Sequence, residues 1–286
     1  MSFEFLRRPT GVSLFAVSAI ALAAAGATLG AASSATPWTA STNSKVRLVA
    51  GTANDGGGLS LLAGVQLRMD EGWKTYWRNP GDSGVPPSFD WAGSKNLKSA
   101  EVLYPAPHRF DDAGGTAIGY SGDVLFPVRL TRERDGEPIE LNLVFAYGLC
   151  KDLCIPNEVS LSLALAADAG QGEALLLDAA LAQVPKPARA GLLPEVKGVE
   201  TNLDGDAPGL VVDAVFPPGA TGTDLLIDGG DVFVPPPASL GASVDGRERF
   251  AVTFASPSEA AAIKGKTLRL TLVSDQGSTE TMWKAE

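Results

Sequence analysis

From Val46 to Leu165 the chain alternates apolar and polar residues in short runs. Val46, Leu48 and Ala50 share a face, as do Val65, Leu67 and Met69. Val124, Phe126, Val128 and Leu130 repeat the pattern, followed by Ile139, Leu141, Leu143, Phe145 and Tyr147, and then Val159, Leu161, Leu163 and Leu165. A period of two, broken by Gly, Pro, Asn and Asp, predicts half-buried antiparallel strands and a β-sandwich. The alternation stops near Ala166. Residues 173–183 (EALLLDAALAQ) predict one helix, ended by Pro185 and Pro187. Alternation returns at Leu210, Val212, Ala214 and Phe216, at Phe250, Val252 and Phe254, and at Leu268, Leu270 and Leu272. Before the last run, Ser256-Pro257-Ser258-Glu259 has the form of a capping box with Pro at the first helical position. The expectation is an all-β chain with two sandwich domains, residues 38–167 and 195–286, joined by a helical linker over 168–194.

The first 35 residues read differently. Arg7 and Arg8 precede an apolar run from Val12 to Leu29, and small residues follow through Ala35. That is the form of a secretory signal peptide spanning 1–35, with cleavage expected after Ala35, and it places the rest of the chain in the periplasm. A retained membrane anchor is the alternative; no second stretch approaches the ~18 apolar residues of a span. Glycine (32) and proline (20) are abundant, as many short strands and turns require. The formal net charge of −10 repels phosphate backbones and excludes nucleic acid as a partner class.

Export matters for the two cysteines, because a disulfide persists in an oxidising compartment. Cys150 ends a predicted strand, and Cys154 precedes Pro156 and the next strand. The three residues between them fit a hairpin loop that brings the Cα atoms within the ~4.4–6.8 Å of a disulfide. A structural staple is one reading. Closing so short a loop contributes roughly 2 kcal/mol, against ~4.7 for a hundred-residue loop, so a domain with its own core gains little from it. Short loops also favour bridges that reduce readily, which argues for redox function. Lys151 beside Cys150 favours a thiolate and Asp152 opposes it.

Other constellations are weaker. Two cysteines and one histidine, His108, do not make a zinc site, and no metal or small-molecule cofactor is expected. Cys-x-x-x-Cys in β surroundings is not the Cys-x-x-Cys of a thioredoxin fold. Gly81-Asp82-Ser83-Gly84 has the look of a serine-protease nucleophile loop, but His108 follows Ser83 in the chain, the reverse of that order; a tight turn is expected instead. His108, after Pro105 and Pro107, is expected on a rigid surface loop. Trp73, Tyr76, Trp77 and Trp91 read as core or edge packing. Gly56-Gly57-Gly58 lacks phosphate-loop spacing.

Three motifs in order carry a resemblance: Gly72-Trp73-Lys74-Thr75-Tyr76-Trp77-Arg78-Asn79-Pro80-Gly81-Asp82-Ser83-Gly84, then Tyr104-Pro105-Ala106-Pro107-His108-Arg109-Phe110, then Tyr147-Gly148-Leu149-Cys150-Lys151-Asp152-Leu153-Cys154-Ile155-Pro156. Over residues 45–165 the chain resembles the N-terminal periplasmic domain of the DsbD/ScsB family of thiol:disulfide interchange proteins, which are linked to cytochrome c biogenesis and copper tolerance. The resemblance implies an immunoglobulin-like fold and a Cys150/Cys154 pair that cycles between disulfide and dithiol, with Cys154 as the attacking thiol. It implies a membrane-embedded electron donor and periplasmic thioredoxin-like acceptors, and hence a protein-disulfide reductase activity. The chain stops at Glu286 without a fused membrane region, so the expectation is either a separate protein as donor or a relay that has been lost. The cysteines stand closer together than in DsbD itself, and the aromatic cap of DsbD has no matching position. The competing expectation is a non-catalytic periplasmic binding or assembly module with a static disulfide.

Overall fold

Strand alternation translates directly into sheets. The computed structural model describes residues 1–2 and 33–286, apart from 56–57, 83, 113–114, 168–169, 205–206 and 243–244. The apolar run Val12–Leu29, Ser83, and Gly56 and Gly57 therefore lie outside the described residues.

The first sandwich has two sheets. One runs β1 (Thr39–Ser41), β2 (Ser44–Asn54), β3 (Leu59–Met69), β9 (Asp123–Arg132) and β6 (Leu97–Val102) in that spatial order. The other runs β11 (Cys154–Leu165), β10 (Ile139–Cys150), β4 (Lys74–Gly81), β8 (Gly115–Ser121) and β7 (His108–Asp112), with β5 (Ser88–Asp90) also paired to β10. The residues that share faces in the sequence meet between these sheets: Leu48, Val65, Phe126, Leu141 and Phe145 are each fully buried in one core. Burying each such side chain contributes about 1.5–3 kcal/mol, which pins the strand registers.

The second sandwich pairs β12 (Lys186–Pro187), β19 (Gly277–Lys284), β18 (Thr267–Ser274) and β15 (Asp224–Asp228) against β13 (Glu195–Asn202), β14 (Gly209–Val215), β17 (Arg247–Thr253) and β16 (Ala238–Ala242). Its core gathers Val212, Phe216, Phe250, Leu268 and Leu272. All pairings are antiparallel except that of β12 with β19. The architecture is all-β and immunoglobulin-like.

Two helices interrupt the strands. α1 (Ala174–Leu181) buries Leu177 and Ala180 against Val49, Ala53, Leu62 and Leu125, on the outer face of the first sandwich. The helix expected between the sandwiches is thus docked on one of them. α2 (Pro257–Ala262) starts as its sequence predicts: Ser256 Oγ accepts the Glu259 N–H (3.3 Å), and the Glu259 carboxylate accepts the Ala255 N–H (3.1 Å).

His108 does not lie on a loop: it opens strand β7, exposed, and pairs with Gly119. Near the N-terminus, the Ser34 carbonyl accepts the Ala50 N–H (2.7 Å), so a cut after Ala35 would remove a ladder bond of the first sandwich. Strand β15 serves both cores: Leu226 packs in the first, and Leu225 and Ile227 in the second. The sandwiches therefore meet at β15 through apolar packing of Leu226, which brings the second one against β4.

Candidate functional site

β10 and β11 form one long hairpin, in register from Ile139↔Leu165 to Cys150↔Cys154. The cysteines are its last paired residues, and Lys151, Asp152 and Leu153 make the turn. Cys150 and Cys154 form a disulfide with their Cα atoms 4.1 Å apart. Direct cross-strand partners across a short turn come this close through the pairing alone, slightly nearer than the ~4.4 Å lower end expected from the sequence.

The two sulfurs occupy different surroundings. Cys150 is 2% exposed, whereas Cys154 is exposed to solvent. What covers Cys150 is β4. Lys74 pairs with Cys150, and Thr75 Oγ1 donates to the Gly148 carbonyl (2.9 Å). The next residue, Tyr76, is 3% exposed and lies over the bridge. Its hydroxyl donates to Cys150 Sγ (2.5 Å) and stands 3.4 Å from Cys154 Sγ. The ring is held from the other side by the loop after β4. A Cβ on Gly84 would sit 2.4 Å from the Tyr76 ring, and Gly84 has φ +131°, so only glycine brings the backbone this close. Within the Gly-Asp-Ser-Gly segment, Asp82 accepts the Thr116 N–H (2.9 Å), which ties that loop to β8.

Around this centre the surface is mixed. Ala117 and Phe110 pack with Tyr76 and Cys150, and the Lys74 ammonium lies 5.0 Å from the centroid of the Phe110 ring. Leu153 (72% exposed) and Val85 (60%) stand out as exposed apolar side chains near Cys154 and Gly148. Lys151, adjacent to Cys150 in sequence, donates instead to the Glu71 carbonyl (3.3 Å), so its charge is directed at the β3–β4 turn. The donor in contact with Cys150 Sγ is the Tyr76 hydroxyl.

The remaining candidates separate from this centre. Trp77 is fully buried in the first core, and Trp73 and Trp91 pack against its edge. Of the aromatic group only Tyr76 reaches the cysteines. His108 is joined to Tyr76 across the sheet only through Gly119, which pairs with both. Among the described residues no group of three His, Cys, Asp or Glu side chains is arranged to hold a metal ion. Among them, too, no helix is long and apolar enough to cross a membrane.

The family model described as "Thiol:disulfide interchange protein DsbD, N-terminal" matches residues 54–166, the stretch that carries the hairpin, β4 and the disulfide. Residues 54–166 form a domain of the DsbD N-terminal family. Among solved structures, the N-terminal periplasmic domain of ScsB from Proteus mirabilis superimposes with a TM-score of 0.67 at 22% identity, covering 88% of this chain and 98% of that one. At that identity the likeness is one of fold, and it extends over both sandwiches. No curated protein matches the chain. The DsbD-type domain thus carries, on its terminal hairpin, a disulfide with one buried and one open sulfur, in a family named for thiol:disulfide interchange.

Proposed function

We propose that this chain is a periplasmic thiol:disulfide exchange module that takes electrons from a membrane-embedded donor and passes them to thioredoxin-like proteins through Cys150 and Cys154. The observation that carries the reading is the asymmetry of the bridge: Cys154 Sγ is open to a partner, and Cys150 Sγ is sealed beneath Tyr76.

The chemistry follows from that asymmetry. A donor thiolate attacks the open Cys154 sulfur. The S–S bond breaks, and Cys150 leaves as a thiolate that accepts the Tyr76 O–H. A second donor thiolate then attacks the donor sulfur of the mixed disulfide and releases Cys154. The donor dithiol ends as a disulfide, and the pair has gained two electrons and, on protonation, two protons. In the forward half, the Cys154 thiolate attacks the acceptor disulfide, and Cys150 attacks Cys154 to release the reduced acceptor. The apolar rim of Leu153 and Val85 suits a transient partner that covers Cys154 during exchange.

The test is the reduction potential of the pair together with trapping. A potential well below about −300 mV marks an inert structural bond and sinks the relay. With Cys150→Ser, mixed disulfides with periplasmic partners are expected through Cys154; with Cys154→Ser, none. Recovery of partners through Cys150 instead reverses the assigned roles.

A further inference from the structure

The second sandwich lies outside the segment matched by the family, yet it grips the strand that carries Tyr76. Arg78 stands two residues beyond Tyr76 on β4. Its Nε donates to Asp228 Oδ2 (2.8 Å), and its Nη2 bonds the Glu280 carboxylate and reaches Thr271 Oγ1 (3.5 Å). The guanidinium also lies over the rings of Trp77 and Tyr104, at 4.2 and 5.6 Å. The neighbouring Asn79 donates through Nδ2 to the Ile227 carbonyl (2.6 Å). Asp228, Ile227, Thr271 and Glu280 all belong to the second sandwich. Arg269 completes the charge balance against Glu280 (3.0 Å) and Asp228 (3.8 Å). The Arg78, Asp228 and Glu280 side chains are only 15–20% exposed, a setting in which removing one partner leaves a poorly solvated charge.

β8 holds β4 only as far as Tyr76, which pairs with Gly119. Its ladder with β4 shifts register between Tyr76 and Gly81, so residues 77–80 leave the regular pairing just where Arg78 and Asn79 engage the second sandwich. The backbone that orients Tyr76 is therefore fixed on one side by Thr75 and Lys74 and on the other by a clasp from β15, β18 and β19.

We propose that the second sandwich is the positioning body of the disulfide site and that Arg78 is its positioning residue: the clasp on Arg78 and Asn79 holds β4 so that the Tyr76 hydroxyl rests on Cys150 Sγ. This gives a sandwich outside the family match a role in the redox chemistry of the matched one. It rests on the exchange reading for its consequence, but it is measurable without any protein partner.

The experiment uses the full chain and its equilibrium with reduced and oxidised glutathione. Tyr76→Phe is expected to shift the equilibrium constant of the pair about fivefold towards the disulfide, as the loss of one hydrogen bond does. Arg78→Ala is expected to shift it in the same direction by a similar factor, with Arg78→Lys recovering part of the change. In the Tyr76→Phe background Arg78→Ala should add nothing, because its effect passes through the hydroxyl. Arg109→Ala, which breaks the other ion pair between the sandwiches (Arg109 with Asp224) without touching β4, should leave the constant within about twofold. Asn79→Ala serves as a milder probe of the same clasp where Arg78→Ala does not fold. An unchanged constant in Arg78→Ala, or in Asn79→Ala where Arg78→Ala does not fold, overturns the proposal, as does full additivity of Arg78→Ala with Tyr76→Phe. Failure to trap partners through Cys154 would remove the relay while leaving the positioning role intact, so the two failures are distinguishable.

Discussion

The Tyr76 hydroxyl lies on Cys150 Sγ, the buried sulfur of the bridge, and not on the open Cys154. A hydrogen bond to a thiolate is roughly twice as strong as one to a neutral sulfur, so this contact favours the reduced pair more than the oxidised one. Tyr76→Phe is expected to raise the Cys150 thiol pKa and to make the pair more reducing, by about 20 mV if the lost difference is ~1 kcal/mol. Thiolate absorbance during a pH titration and the glutathione equilibrium both read the change. A potential that stays put or rises removes the hydroxyl from the chemistry.

Burial also orders the reactivity of the two thiols once the bridge is reduced. Cys154 is exposed and Cys150 is covered by Tyr76 and the Gly84 loop. Access to the thiolate limits alkylation. Iodoacetamide is expected to modify Cys154 at least about tenfold faster than Cys150, as peptide mapping by mass spectrometry over a time course would show. Equal rates would mean that the cover over Cys150 opens faster than alkylation proceeds, and the asymmetry on which the exchange mechanism stands would be lost.

Much of the fold was legible because most strands have one wet face. β10 and β11 alternate without interruption, since their inner residues fill the first core and their outer ones face solvent. β4 was not legible for the opposite reason. Thr75, Tyr76 and Trp77 are all buried, on both faces, so no period of two appears in Lys-Thr-Tyr-Trp. β15 hides in the same way, with Leu225, Leu226 and Ile227 split between two cores. The cysteine pair was legible because its partners are neighbours in sequence. Tyr76 was not: its place over the bridge depends on the single pairing of Lys74 with Cys150, a contact that spacing along the chain cannot reveal. Its sequence signals were membership of the first family motif and of an aromatic cluster whose other three members, Trp73, Trp77 and Trp91, pack in or against the core.

The bridge should matter little to stability. It closes a loop of only five residues, so the chain-entropy gain is about 2 kcal/mol, while the first sandwich buries a continuous core of its own. Reduction is expected to leave the fold intact and to lower the urea midpoint modestly, with an unchanged m-value. Unfolding curves with and without dithiothreitol test this. Collapse of the native signal on reduction would favour a structural staple over a redox pair.

Alkaline pH should unfold the chain through its buried phenols. Burial raises the Tyr120 pKa well above the ordinary value near 10, an effect that the Arg78 guanidinium offsets only in part; burial also raises Tyr104 and Tyr147. Tyr120 is held neutral, its hydroxyl donating to the Pro105 carbonyl (2.9 Å). A group whose pKa is higher folded than unfolded contributes stability that is fully present below the unfolded value. Above about pH 10 the unfolded chain releases the proton and the folded chain does not, so stability falls by about 1.4 kcal/mol per pH unit for each such phenol until the folded pKa is reached. Tyr120→Phe costs stability at neutral pH through the lost hydrogen bond, yet it should flatten the decline between pH 10 and 11 by one phenol's share. Urea unfolding at pH 8, 10 and 11 in both proteins decides the matter: parallel declines would mean that Tyr120 ionises as readily in the fold as out of it.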